Sequence, residues 1–168
     1  MEYIDEAMLL CIRESCVLEV DLSDCKRLKE IPVDALCEME HLERLELKRC
    51  DSLKWPPIQV INRGSTSVMH FLKDGRLDLT AAVTDEFPDL VEMCRFRPKS
   101  GREGGGTSIV EVDITNCKKL VNLPYRQLIE LESLEALHCR GCEKLRWPPQ
   151  NVIAQGGNQV MNYLRARY

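Results

Sequence analysis

The sequence predicts an α/β protein, a short repeat solenoid that is duplicated. Each half would contain parallel strands, a leading helix and a C-terminal helical cap. Two observations lead to this prediction. A strand-and-bend motif recurs after 25 residues, and the whole arrangement recurs after 92 residues. Both are periodicities of the kind that marks repeat architectures.

The clearest copy of the motif is Leu42 to Leu53, which fits L-x-x-L-x-L-x-x-C-x-x-L. Leu45 and Leu47 alternate as in a strand, whereas the three-residue steps on either side do not. Val17 to Leu28 is a second copy of the motif, 25 residues earlier. The segment between them, Val33 to Glu40, suits a short helix on the outer, convex side.

The motif ends at Trp55-Pro56-Pro57, because proline donates no backbone hydrogen bond to a continuing ladder. Residues 58–73 then predict two short helical pieces hinged at Gly64. We interpret these pieces as a cap over the open end of the solenoid, which a repeat array requires.

A gapless alignment relates residues 17–73 to residues 109–165 at a constant offset of 92, with 24 of the 57 pairs identical. This match indicates an internal duplication, with a first module over residues 1–76 and a second over residues 77–168. Each module would have two repeats and begin with a helix, predicted at residues 2–15 and again at 85–96. The glycine-rich segment 98–108 predicts a flexible loop.

The motif and its recurrence resemble leucine-rich-repeat proteins of the cysteine-containing type. The tail P-P-x-x-V-x-x-x-G-x-x-x-V-x-x-x-L, at residues 56–72 and 148–164, is similar to the end of the repeat region in Roco-type GTPase/kinase scaffolds and Ras-pathway repeat scaffolds. This resemblance implies a cytoplasmic protein-interaction module. Those families carry many repeats, whereas this chain has two repeats, a cap, and two more.

Composition argues against several classes of partner. The net charge is −4, so no polybasic surface is expected for nucleic acid or an anionic membrane. No apolar run approaches the roughly 20 residues that cross a bilayer. The N-terminal segment is acidic where a signal peptide is basic, and the nine cysteines are an odd number. We therefore expect a cytoplasmic protein with reduced thiols.

Candidate chemistry is sparse in this sequence. Cys139 and Cys142 form a C-x-x-C pair, but Cys139 aligns with the core residue Leu47, and a zinc site usually needs two such pairs. Structural packing is therefore favoured over metal or redox use. The cysteines after each strand, such as Cys142, are expected to satisfy backbone groups in the bend. No nucleophile, acid–base or metal arrangement is evident, so we expect no enzyme, catalytic residue, metal or cofactor.

The remaining candidate surface is the concave face of the strands. Residues between the inward-pointing ones should face out of the sheet there. The charged and histidine side chains of this predicted partner-binding face are Glu19, Asp21, Arg44, Glu46, Lys48, Glu111, Asp113, His138 and Arg140.

Two hypotheses of function follow. The first is a non-catalytic interaction module, or the scaffold segment of a larger protein, that binds a protein partner through these concave faces. The alternative is structural self-association into a homo-oligomer through exposed sheet edges, in what could be a regulatory part of a larger signalling protein. A two-repeat solenoid is short of the three repeats that normally stack stably, so the flanking helices are expected to seal each module and the halves to dock.

Overall fold

The structure is a computed structural model, and it describes residues 16–82, 87, 89, 90 and 109–167. The predicted leading helix at residues 2–15, the predicted loop at 98–108 and most of the predicted helix at 85–96 lie outside the described residues. The described residues divide into two compact units, one of residues 16–74 and the other of those from residue 75 onward.

The first unit has two parallel strands and three helices. Its elements are β1 (Glu19–Asp21), α1 (Val33–Glu38), β2 (Arg44–Glu46), α2 (Ile58–Ile61) and α3 (Ser65–Asp74). Strand β1 pairs with β2 in parallel, with Glu19 opposite Arg44 and Asp21 opposite Glu46. The predicted outer helix and the predicted break at Gly64, which has a φ of 91°, are confirmed here.

The second unit has three parallel strands in the order β3-β4-β5. Its elements are β3 (Arg76–Asp78), β4 (Glu111–Asp113), α4 (Tyr125–Glu130), β5 (Ala136–His138), α5 (Gln150–Ile153) and α6 (Gly157–Arg167). Both strand pairs are parallel, and Glu111 lies opposite Arg76 on one side and Ala136 on the other. The prediction of parallel strands combined with helices is therefore confirmed in both units.

Strand β3 was not predicted, because the sequence analysis treated the residues after the first cap as a connection. It crosses the predicted boundary between residues 76 and 77 and pairs with β4. Its sequence, Leu77-Asp78-Leu79-Thr80, matches Val20-Asp21-Leu22-Ser23 and residues 112–115 in pattern. The signal was short, since Ala82 stands where the full motif has cysteine and Asp85 where it has leucine.

Each strand runs into the same kind of turn. One residue of every turn has a positive φ, a conformation that costs L-residues energy and favours glycine, asparagine and aspartate. These residues are Asp24, Arg49, Ala81, Asn116 and Gly141, with φ between 52° and 75°. Their positions show that the bend has one backbone geometry in all five copies.

The cysteine after the turn hydrogen-bonds to the neighbouring copy. The Cys50 thiol donates to the Leu22 carbonyl at 3.2 Å, Cys117 to Leu79 at 3.1 Å, and Cys142 to Ile114 at 3.0 Å. The expectation that these cysteines satisfy backbone groups is confirmed. The Sγ–H group, a weak donor, thus links successive turns.

Helices cover the outer edge of β2 and of β5. In the first unit the Ser65 hydroxyl accepts the buried Leu45 N–H at 2.7 Å, and the Lys73 ammonium donates to the Leu42 carbonyl at 2.9 Å. In the second unit Arg165, which aligns with Lys73, donates to the Leu134 carbonyl at 2.7 Å. A charged hydrogen bond therefore fastens the end of each cap helix to the turn before the last strand.

The core of each unit lies between the strands and the helices. Leu45 and Leu137, at the centres of β2 and β5, are completely buried. Trp55 is 3% exposed and packs on Phe71, with ring centroids 5.4 Å apart. Trp147 packs on Tyr163, with ring centroids 5.6 Å apart. Both tryptophans therefore pack against their cap helices.

Among the residues that the structure describes, no helix has the length and apolar character needed to cross a bilayer.

Candidate functional site

The predicted partner-binding residues of the first unit form a network of exposed ion pairs. Arg44 lies 3.6 Å from Glu19 and 3.4 Å from Glu46, and Lys48 lies 3.1 Å from Glu46. The Arg44 and Lys48 side chains are 57% and 59% exposed, whereas Glu46 is only 12% exposed. The buried acid thus holds two basic side chains on the face of the sheet, where a partner can reach them.

The corresponding network of the second unit centres on Glu111. Its carboxylate lies 3.2 Å from Arg76 of β3 and 3.2 Å from His138 Nε2 of β5. Ala136 replaces Arg44 at the aligned position and is buried, so this part of the face carries no charge. Arg76 was missed by the sequence analysis, because strand β3 was missed.

Arg140 differs from its counterpart Lys48. In the first unit Glu46 pairs with Lys48. In the second unit His138 aligns with Glu46, but it contacts Glu111 instead. Arg140 is exposed, and no carboxylate pairs with it among the described residues. This arrangement leaves a guanidinium with five donors open to an incoming acidic or carbonyl group.

Asp21 and Asp113 lie on the predicted face, but their carboxylates bind their own turns. Asp21 accepts the Ser23 N–H at 2.8 Å and Asp113 accepts the Thr115 N–H at 2.8 Å. Asp78 makes the same contact with Thr80 at 2.9 Å. Hydrogen bonds from Ser23 lower the pKa of Asp21. The three aspartates therefore hold the strand-to-turn geometry, in addition to any contact with a partner.

A further ion pair lies beside this face. Arg49 makes a two-pronged contact with Asp24, and both are exposed residues with positive φ. The hydrogen bonds from Arg49 lower the pKa of Asp24. The sequence analysis missed this pair, because only the folded turns bring two residues 25 positions apart together.

The C-x-x-C pair is part of the core. Cys139 is 2% exposed, and burial raises the pKa of its thiol to about 12. Burial also raises the pKa of Cys142, whose thiol donates to a backbone carbonyl. Because the thiolate is the reactive form of cysteine, these thiols are inert at neutral pH. No group of three or more metal-ligating side chains occurs in the described part of the chain.

Comparison with known proteins finds similarity to plant disease resistance proteins. The chain is 31% identical over 137 residues to a probable disease resistance protein of Arabidopsis thaliana, which covers 81% of this chain and 6% of that protein. It is 30% identical over 139 residues to TMV resistance protein N of Nicotiana glutinosa, covering 82% of this chain and 10% of that protein. The chain thus spans a tenth or less of the length of these curated relatives.

No family model matches the chain, and no solved structure matches it. The two relatives do not test the likeness of the cap to Roco-type and Ras-pathway proteins, which stays a prediction. The similarity to the resistance proteins, together with the parallel strands and their recurring turns, is consistent with a leucine-rich-repeat protein.

Proposed function

We propose that the chain is a non-catalytic leucine-rich-repeat segment of a larger cytoplasmic signalling protein, and that it binds a protein partner through the strand faces of its sheets. Each unit would be a short solenoid closed by its cap helix, and the two would derive from one duplicated module. The coarser part of this proposal, an interaction or signalling segment, follows from the similarity to resistance proteins.

The recurrence of elements supports the proposed duplication. Strands β1 and β4, helices α1 and α4, strands β2 and β5, and helices α2 and α5 have boundaries that differ by 92 residues throughout. The core residues are largely shared, and so are the face residues of β1 and β4, whereas the face residues of β2 and β5 differ. A constant framework that carries variable surface residues is what a binding scaffold needs.

The exposed guanidinium of Arg140 is the main support for the proposed partner-binding role. It is exposed on the same face as the Glu111 ion pairs and has no described carboxylate partner. Arginine is enriched at the energetic centres of interfaces, and it binds carboxylates in a two-pronged geometry. The surrounding pairs are weak enough to exchange, since exposed ion pairs contribute about 0–1 kcal/mol each.

The proposed partner is a protein and neither nucleic acid nor a membrane. The net charge is −4, and both strand faces carry positive and negative side chains. These charges favour a partner surface that also has interspersed positive and negative groups. Association should then be steered electrostatically and weaken with salt. Self-association through sheet edges remains the alternative, but the edges of β2 and β5 are packed by α3 and α6. Among the described strands, this leaves the edges of β1 and β3 for it.

The test begins with affinity capture from a plant cell extract, followed by direct binding to the purified partner so identified. We expect the triple variant E19K/E111K/R140E to bind the partner at least about tenfold more weakly. Replacing a hot-spot residue typically costs more than about 1–2 kcal/mol of binding free energy. Asp21 and Asp113 are left unchanged, since their reversal would also remove the turn hydrogen bonds.

The matched control is E40K/E132K combined with K54E, which reverses the charge of an exposed residue of the first unit outside its strands. Glu40 and Glu132 are exposed, separated by the same 92 residues, and follow the outer helices α1 and α4. This variant makes the same changes of charge away from the strand faces and should bind normally. Equal affinity of the wild-type protein and the strand-face variant would overturn the proposal. Unchanged far-UV circular dichroism and unfolding midpoint would show that both variants are folded.

A further inference from the structure

The second unit carries a groove away from its strand faces. It has a volume of about 350 Å³ and is lined by Asn122, Leu123, Tyr125 and Trp147. The Tyr125 and Trp147 rings are 6.3 Å apart and meet nearly edge to face, at 74°. None of these residues belongs to a strand, so the groove is distinct from the proposed partner-binding faces.

The aromatic surface continues beyond the groove. Tyr163 of α6 lies 5.6 Å from Trp147, and the Arg167 guanidinium lies 5.2 Å from the centre of the Tyr163 ring. Trp147, Tyr125 and Tyr163 are each half-buried, so part of every ring faces outward. Half-buried aromatic side chains near an arginine are the residue types that dominate interface energies.

The aligned region of the first unit has a different character. Val33 replaces Tyr125, Phe71 replaces Tyr163, and Glu30 replaces Asn122. Trp55, the counterpart of Trp147, is 3% exposed, so its ring is a core residue. Both tryptophans pack on a cap helix, but only the second ring is left partly open. The groove is therefore a feature of one unit and does not follow from the shared framework.

The charges near the groove also differ between the units. Arg126 follows Tyr125 and Arg146 precedes Trp147, and both are exposed without an ion-pair partner among the described residues. The aligned residues of the first unit are Asp34 and Lys54, and Gly75 stands in place of Arg167. Two exposed arginines thus adjoin lining residues in the chain, and Arg167 lies over the neighbouring Tyr163 ring, in a protein whose overall charge is negative. This local charge is complementary to an acidic ligand.

We propose that this groove binds an acidic, proline-containing segment of a protein partner in an extended conformation. Grooves lined by aromatic rings recognise proline-rich segments, because a polyproline II helix is preformed and loses little entropy on binding. The flat walls of Tyr125 and Trp147 suit a proline ring. The Asn122 side chain offers both a donor and an acceptor to the peptide backbone. The arginines select for acidic residues that flank the proline.

The test uses a displayed library of random dodecapeptides selected against the whole chain. We expect the selected peptides to be enriched in proline and in aspartate or glutamate. The double variant Y125V/R126D gives these positions the residues of the first unit, so it should keep the fold. It should weaken the binding of a selected, fluorescein-labelled peptide by at least about tenfold. Replacing the peptide's acidic residues by lysine should weaken it similarly.

The strand-face variant E19K/E111K with R140E serves as the control, and it should bind the same peptide normally. If the strand-face variant does not bind the protein partner of the strand faces, that result bears on the proposed function and not on the groove. The groove proposal is overturned by any of three results. The first is a selection that shows no enrichment of proline and acidic residues. The second is equal peptide binding by Y125V/R126D and the wild-type protein. The third is a concentration-dependent dimer that Y125V/R126D abolishes, because a second copy of the chain would then occupy the groove.

Discussion

Buried thiols are the residues whose chemistry the fold changes most. Cys139 aligns with Leu47 and, like it, is 2% exposed. Removal from water disfavours the thiolate, so burial raises the pKa of Cys139 from its ordinary 9.0 to about 12. The same residue that suggests a redox motif in the sequence is thus a small apolar side chain in the core.

This raised pKa predicts how stability depends on alkaline pH. Above pH 9 the unfolded chain releases the Cys139 proton, whereas the folded chain keeps it until about pH 12. The contribution of this thiol is therefore fully present below pH 9 and is lost as the pH rises towards 12. Titration of this thiol should lower the free energy of unfolding by at most about 1.4 kcal/mol per pH unit.

Urea unfolding of the wild-type protein and of Cys139→Ala at pH 8, 9 and 10 measures this effect. We expect the free energy of unfolding of the variant to fall less steeply with pH. Parallel slopes for Cys139→Ala and the wild-type protein would show that this thiol titrates alike in both states.

At the scale of elements, the cap helices decide how each sheet ends. Helix α3 meets the edge of β2 through Ser65, whose hydroxyl accepts the Leu45 N–H. The aligned residue of α6 is Gly157, which has no side chain to do this. A Cβ atom there would lie only 2.9 Å from the His138 ring. Serine at the Leu45 N–H and glycine beside the His138 ring indicate that each cap helix is fitted to its own last strand.

Ser65→Ala is therefore expected to destabilise the first unit. The change leaves the buried Leu45 N–H without its acceptor, which costs about 1–3 kcal/mol. Thr66→Ala, at the next and exposed position of the same helix, should change the free energy of unfolding by no more than about 0.5 kcal/mol. Chemical denaturation of the two variants makes the comparison. Equal stability would mean that the hydroxyl contributes nothing to closing the sheet edge.

At the scale of the whole molecule, the structure divides the described chain near residue 75. Strand β3 belongs with β4 and β5, although it directly follows the first cap helix. Gly75 has a φ of 67°, and its carbonyl accepts the Val110 N–H at 2.9 Å. Arg76 adds its ion pair with Glu111. The second unit thus begins two residues before the module boundary that the sequence predicts.

Two fragments test this division. Residues 75–168 keep the whole of β3, whereas residues 77–168 lack Gly75 and Arg76. We expect the longer fragment to be more stable by about 1–2 kcal/mol, because the shorter one loses backbone hydrogen bonds and an ion pair. Urea unfolding of both fragments, with Arg76→Ala in the longer one as a control for the ion pair alone, gives the measurement. Identical midpoints would place β3 outside the cooperative unit.

The sequence by itself determined the parts of this protein that depend on local pattern. Alternating leucines predicted the parallel strands, Trp-Pro-Pro predicted where the motif stops, and Gly64 predicted the break between the cap helices. The role of the cysteines was also accessible, since their fixed position after each strand placed them in the bend. Nine residues of the strand faces could be chosen by the same alternation.

Only the tertiary structure decided what those side chains contact. It brought Arg44 to Glu19 and His138 to Glu111, and it left Arg140 without a described carboxylate. It showed that Asp21 and Asp113 bind their own turns. It also exposed one tryptophan more than the other. Strand spacing is fixed by the backbone, but pairing between strands depends on residues that are 25 or more positions apart, and periodicity along the chain carries no information about those pairs.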